Sequence, residues 1–277
     1  MRCLPPFALF AVLCSAAGVP AAGAQEFRVH TTVSELPAGG KPVELARNLT
    51  LFHAGQAWDF AVEAAEVVRF DPAAGKFTLL DLSRDLTCDV TLAEIDRRRV
   101  VGRTTTEEYL AKLAGDPAAA ALSRDLAFQL APRFAVTEEA GVVAFKGGPI
   151  EYEVVTAAPK GVGTATFYLD YADWTARLNY ALRPGRFPGV RTAVNEQLRA
   201  RGVMPQTVTV TNTTGGGADG AGGATTVLRA EHVIQESLAP RDRELLAEWR
   251  GRLTGGTARA VSFREYVRQT TGAVAQR

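Results

Sequence analysis

The sequence predicts an α+β fold, with a curved antiparallel β-sheet built from hairpins and covered on one face by helices. Three observations carry this expectation. From residue 27 to residue 82 apolar side chains recur at every second position and are broken by turn residues, the pattern of half-buried strands joined in hairpins. Residues 91–130 switch to helical composition, and three alternating segments follow. The stretch FYLDYADWTARLNYAL, residues 167–182, then repeats apolar residues at steps of three and four, which makes one stripe of an amphipathic helix suited to lie on a sheet.

Taken in order, FRVHTTV alternates Phe27, Val29, Thr31 and Val33 against Arg28, His30 and Thr32, a strand with one buried side. NLTLF and QAWDF flank Ala54-Gly55, and VVRF and KFTLL flank the bend ending in Gly75. Glycine supplies the positive φ that a reversing chain needs, so both pairs read as hairpins. Thr91 and Glu94 form a capping-box pattern at the start of a helix that runs to Leu113, with an interruption expected near Gly102. A second helix is expected over residues 118–130. RFAVTEE, VVAFK and IEYEVVTA read as three strands, with an Ala140-Gly141 turn between the first two. After the helix carrying Phe167, Tyr171, Trp174, Leu178 and Leu182 comes VRTAVNEQLRARG, a helix closed by Gly202. QTVTVTN and TTVLRAEHVIQ alternate again, and PRDRELLAEWRGRL and SFREYVRQ end the chain as helices.

The first 24 residues carry one charge at Arg2, an apolar run from Leu4, and Ala22-Gly23-Ala24 before Gln25. This is the three-part layout of a secretory signal peptide, and it divides the chain into a leader, 1–24, and a single α+β domain, 25–277. A lipid-anchored form would use Cys14, but Ala11-Val12-Leu13 before it lacks the small residue normally placed next to such a cysteine. Loss of Arg2 with the leader takes the formal charge from +1 to zero, so nothing points to nucleic acid or an acidic membrane surface as a partner. The same cut leaves Cys88 as the one cysteine, so stability has to come from a core rather than a disulfide. No further apolar run approaches the roughly 18 residues of a transmembrane helix, and an exported protein, periplasmic or extracellular, is expected.

Few residues look like chemistry. With Ala54-Gly55 as a two-residue loop, His53 faces Gln56, Leu51 faces Trp58, Thr50 faces Asp59 and Leu49 faces Phe60. Leu49, Leu51, Trp58 and Phe60 then share one face, and Asp59 points away from His53, which argues against a catalytic pair. His30, His53 and His232 all fall in strands but at spacings that do not force them together, and no H-x-H or H-E-x-x-H pattern occurs. Gly215-Gly216-Gly217-Ala218-Asp219-Gly220 matches G-x-G-x-x-G, yet a β-branched segment follows where a dinucleotide site needs a helix. Cys88 precedes a helix start, where a thiolate is favoured, but a buried structural cysteine is the simpler reading. Asp81, Asp85 and Asp89 lack the order of a calcium loop and are expected to face solvent. Arg97, Arg98, Arg99 and Arg103, with Asp96, Glu107 and Glu108 beside them, read as a solvated helix face. No catalytic residue, metal ligand or cofactor is assigned.

The segments EFRVHTTV, TLFHAGQAWDF, VVRFDPAAGKFTLLDLSRDLTCDVT, YADWTARLN and LRAEHVIQESLAPRDRELL together resemble an uncharacterised family of exported proteins from planctomycete-type bacteria. The resemblance runs in order along nearly all of the mature chain. That family usually carries Asp-Gly where this chain has Ala54-Gly55. The hairpin rhythm of Gly55, Trp58, Phe60, Asp71, Pro72, Gly75 and Phe77 is also similar to that of the periplasmic lipoprotein carriers. That second likeness implies a concave face lined by Leu49, Leu51, Trp58, Phe60, Val68, Phe70, Phe77 and Leu79 as a ligand-binding surface for a lipid or other apolar ligand; the competing reading makes the same residues ordinary core. The leading expectation is therefore a non-enzymatic envelope module that binds or carries an apolar ligand or a protein partner. The alternatives are a metal-assisted hydrolase using the strand histidines and a purely structural envelope component. A carrier needs an apolar cavity, an enzyme needs converging polar groups, and a structural protein needs neither.

Overall fold

The computed structural model describes residues 26–61, 63–214, 224–256 and 258–271. The expected leader, its cleavage point and the glycine run at 215–220 lie outside the described residues. The chain forms β1 (Phe27–Glu35), β2 (Val43–His53), β3 (Gln56–Ala61), β4 (Glu66–Asp71), β5 (Lys76–Asp81) and β6 (Leu86–Thr91), then helices α1 (Leu92–Leu113) and α2 (Ala120–Leu130). Strands β7 (Ala135–Glu139), β8 (Val142–Lys146) and β9 (Ile150–Ala157) lead to α3 (Thr164–Leu182) and α4 (Gly189–Ala200). Strands β10 (Met204–Thr214) and β11 (Ala224–Gln235), helix α5 (Pro240–Gly255), the short strand β12 (Arg259–Ala260) and helix α6 (Phe263–Thr271) follow.

All strands join one 12-stranded sheet in the order β12-β6-β5-β4-β3-β2-β1-β11-β10-β9-β8-β7. Two meanders, β1 to β6 and β7 to β11, therefore meet along a central seam where β1 pairs antiparallel with β11. The α+β class and the curved, hairpin-built antiparallel sheet are as the sequence predicts. Among the described residues only β12, which pairs parallel with β6, departs from the antiparallel pattern.

The β2–β3 hairpin has the predicted register: His53 opposes Gln56, Leu51 opposes Trp58, Thr50 opposes Asp59 and Leu49 opposes Phe60. Its turn holds φ of +52° at Ala54 and +73° at Gly55, the left-handed pair of a type I′ turn whose twist matches the strands. Ala140 and Gly141 repeat that geometry between β7 and β8 with φ of +50° and +79°. At the head of α1 the Thr91 hydroxyl accepts from the Glu94 amide at 3.1 Å, as the capping pattern requires. The helix does not break near Gly102. A Cβ there would lie 2.1 Å from the Tyr180 hydroxyl, so glycine is what lets α3 approach α1 at that point. Helix α4 ends as expected at Gly202, φ +65°, with the Val203 amide donating back to the Leu198 carbonyl at 3.2 Å.

Helices cover both faces of the sheet, not one. The inner face packs against α1, α3, α4 and α6 through a large core that includes Phe27, Phe52, Phe70, Phe77, Ile95, Leu169 and Tyr266. Helix α5 lies on the outer face, where Leu246 and Trp249 join Leu51, Trp58, Phe60, Val67 and Leu80 in a second cluster. Arg28 on β1 fastens it: its guanidinium donates to both oxygens of Asp242 at 3.0 and 2.9 Å, and the same carboxylate accepts from the Ala239 amide at 2.7 Å to close the helix start. The reason for two covered faces is that the β2–β5 strands carry large apolar residues on both sides.

Alanine in the left-handed region costs about 1 kcal/mol relative to residues that tolerate it. The substitution Ala54→Asn should therefore raise unfolding stability by about 0.5–1 kcal/mol without changing the register, measured by urea denaturation.

Candidate functional site

The eight residues expected to line one concave face divide between two. Ala57 opposes Phe70 and Asp59 opposes Val68, and Phe70 and Val68 in turn oppose Phe77 and Leu79. Side chains alternate along each strand, so these four point to the inner face with Asp59. Leu49, Leu51, Trp58 and Phe60 point to the outer face, against α5. The shared face fails because the connection between β3 and β4 reverses the parity that simple continuation along the sequence assumes. Leu51 and Trp58 are 0% exposed and Phe70 and Phe77 are as deeply packed, so most of the set is core.

The other candidates also separate. His53 does not meet Asp59; its Nδ1 is 2.6 Å from Glu26, which also pairs with Arg243 of α5. His30 sits on the outer face opposite Leu49, four residues along β2 from His53 and hence about 13 Å away. His232 occupies the inner face opposite Thr31. The sheet thus keeps the three histidines apart, and no metal-holding group of histidine, cysteine or acidic side chains occurs among the described residues. Cys88 lies in β6 with 1% exposure, its thiol pushed up to about 12 by burial and then by Glu94 and Asp89, which is the opposite of an activated nucleophile. Asp81 is a correction: it is buried, accepts from the Ser83 hydroxyl at 2.6 Å and the Arg84 amide at 3.0 Å, and so builds the β5–β6 turn instead of facing solvent. On α1, Arg99 pairs with Asp96 at 2.7 Å and Arg103 with Glu107 at 2.8 Å, as a solvated face would.

Reading across the strands shows how the inner face is graded. One row, Phe27, Phe52, Ala57, Phe70, Phe77 and Val90, is aromatic and apolar. The row four ladder pairs away on the same face, His232, Thr31, Asn48, Ala61, Glu66 and Asp81, is mostly polar. Between them Thr50 and Asp59 interrupt an otherwise apolar row. Asp59 accepts from the Thr50 hydroxyl at 2.8 Å and from Asn48 Nδ2 at 2.9 Å, and Tyr171 lines the same cavity. Burial nevertheless holds its carboxyl above the ordinary aspartate value, because these hydrogen bonds do not replace full hydration of a charge. Glu66 is raised by burial and by Asp81 beside it.

Helix α3 crosses this gradient and leaves clefts on its flanks. Over the polar end a cavity of about 270 Å³ is lined by Thr31, Asn48, Asp59, Tyr168, Tyr171 and Arg191, among others. On the far side, between α1 and α3, a cleft of about 470 Å³ has Val101, Gly102 and Thr105 on one wall and Tyr180, Ala181 and Pro184 on the other, with Arg97 and Arg98 at its rim. Val101 is 60% exposed. A third cleft of about 450 Å³ shares Tyr180 with the second and Ala176 and Asn179 with the first, so the three follow one another along the helix.

This arrangement defines an α+β sheet protein with clefts along the flanks of one covering helix. No model of a known protein family and no curated protein matches the chain. Sequence reasoning missed all three clefts. The available signal was on α3: Tyr168, Tyr171, Thr175 and Asn179 place polar tips at helical spacing beside the apolar stripe, the pattern of a helix that covers polar sheet residues.

His232 records the burial of this region. Burial, then the nearby Arg191 cation, lowers its pKa from 6.5 to about 4. The unfolded chain takes up this proton first as pH falls, so the stability is complete above about pH 6.5 and is lost progressively toward pH 4. The shift corresponds to about 3 kcal/mol at full loss. Denaturation curves across that window should show His232→Gln losing about that much less stability than the wild-type chain.

Proposed function

We propose that the protein is an exported, non-enzymatic binding module that carries an apolar group in the cleft between α1 and α3, in the periplasm or outside the cell. The cleft itself carries this reading. Its volume of about 470 Å³ is in the range that encloses a small ligand, and its walls are supplied mainly by aliphatic, glycine and tyrosine surface. Exposed Val101 and Tyr109 extend the same side of α1 at a spacing of eight residues, or two helical repeats of four. Such apolar surface is costly to leave in water and is relieved by an apolar occupant. The signal-peptide layout of the first 24 residues supports export, and the likeness to exported envelope proteins and lipoprotein carriers supports the carrier class. The residues that hold the ligand are those of the cleft, not the eight that likeness implied.

Titration with the neutral apolar fluorophore N-phenyl-1-naphthylamine tests the reading. The wild-type protein should give saturable enhancement, and Val101→Glu, a change at an exposed position, should weaken binding about tenfold by placing a charge at the apolar wall. Binding that does not saturate, or that Val101→Glu leaves unchanged, would count against the cleft.

A further inference from the structure

We infer that the cavity beneath α3 is a second site, which binds a small monocarboxylate carrying a hydrogen-bond donor, with Arg191 holding the carboxylate and Asp59 receiving the donor. Arg191 is half-buried and lines this cavity together with Asp59, Tyr168 and Tyr171. Among the described residues its guanidinium has no ion pair and no hydrogen bond, although 17 other pairs of basic and acidic groups do meet. The cation acts on Tyr152, Tyr168 and His232 alike, so its charge is directed into the covered layer between α4 and the sheet. A half-buried guanidinium with five unused donors is a ready acceptor site for a planar carboxylate.

The surroundings select the ligand further. The Tyr168 hydroxyl makes no hydrogen bond among the described residues, and burial keeps it protonated as a donor. Behind this lining, with its ring centroid 6.0 Å from that of Tyr168, His232 has a buried Nε2 without a partner among the described residues, its Nδ1 being 2.9 Å from the Thr31 hydroxyl. Asp59 accepts hydrogen bonds from Thr50 and Asn48, and a carboxylate has about four acceptor positions, which leaves room for a ligand hydroxyl or amine. Asp59 and the neighbouring Glu66 would repel a doubly charged phosphate more strongly than a singly charged carboxylate. The volume of about 270 Å³ suits a molecule of a few heavy atoms. The site goes beyond the apolar cleft and does not require it.

Calorimetric titration at constant ionic strength with lactate, propionate and lactamide separates the parts. Lactate should bind, propionate several-fold more weakly, and lactamide, which lacks the charge, not detectably. Arg191→Gln should weaken lactate about tenfold or more, as expected for loss of a charge-assisted hydrogen-bonded pair, and Tyr168→Phe by less. Binding of N-phenyl-1-naphthylamine should be unchanged in both variants, which shows that the fold and the other cleft persist. Failure of lactate to bind, equal binding of lactamide, or an Arg191→Gln variant that binds like wild type would overturn the site. Equal binding of propionate and lactate would overturn the role given to Asp59.

Discussion

The packing of α3 across the central seam is the interaction on which the other features depend. Phe27 and Phe52 stack at 4.0 Å on neighbouring strands β1 and β2, and Phe167 and Tyr171 of α3 close on Phe52 edge-on at 5.2 and 5.5 Å. Edge-to-face contacts of this kind add to the burial of large rings and fix their orientation. Because β1 also pairs with β11, the same cluster sits where the two meanders meet. Chain segments far apart in sequence are thereby held by one aromatic contact region, and the helix lying on it decides where the clefts open.

The hairpins were legible because their determinants are local. Ala54-Gly55 sets a two-residue turn, and Leu51 against Trp58 selects one register out of two. The distribution of helices over the two faces was not legible in the same way. Helix α5 carries Leu245, Leu246, Trp249 and Leu253 toward the outer cluster, and its stripe shows that it packs without showing against which face. The division of Leu49, Leu51, Trp58 and Phe60 from Val68, Phe70, Phe77 and Leu79 likewise depends on one connection between β3 and β4, where a change of parity exchanges inside for outside.

The polar row was hidden for a different reason. Asn48, Thr50, Asp59 and Glu66 alternate with large apolar residues, and a half-buried strand with one wet face has the same appearance. Here α5 covers the apolar side and α3 covers much of the polar side, so groups that look solvated become the floor of a cavity. Buried polar groups are costly unless satisfied, and Asp59 accepts from Thr50 and Asn48, while Arg191 has no counter-charge among the described residues. The unsatisfied cation and the apolar cleft lie on opposite flanks of one helix, and a single docked element therefore separates two chemically distinct surfaces.

Among the described residues no helix is long and apolar enough to cross a membrane, and the proposed recognition lies in the layer between α3 and its neighbours. Native mass spectrometry of the protein isolated from its own source addresses that placement most directly. The account predicts a co-purifying apolar small molecule in a one-to-one complex, released by Val101→Glu. A protein that carries no bound small molecule under all gentle conditions, and that takes up no apolar compound when offered one, would contradict it.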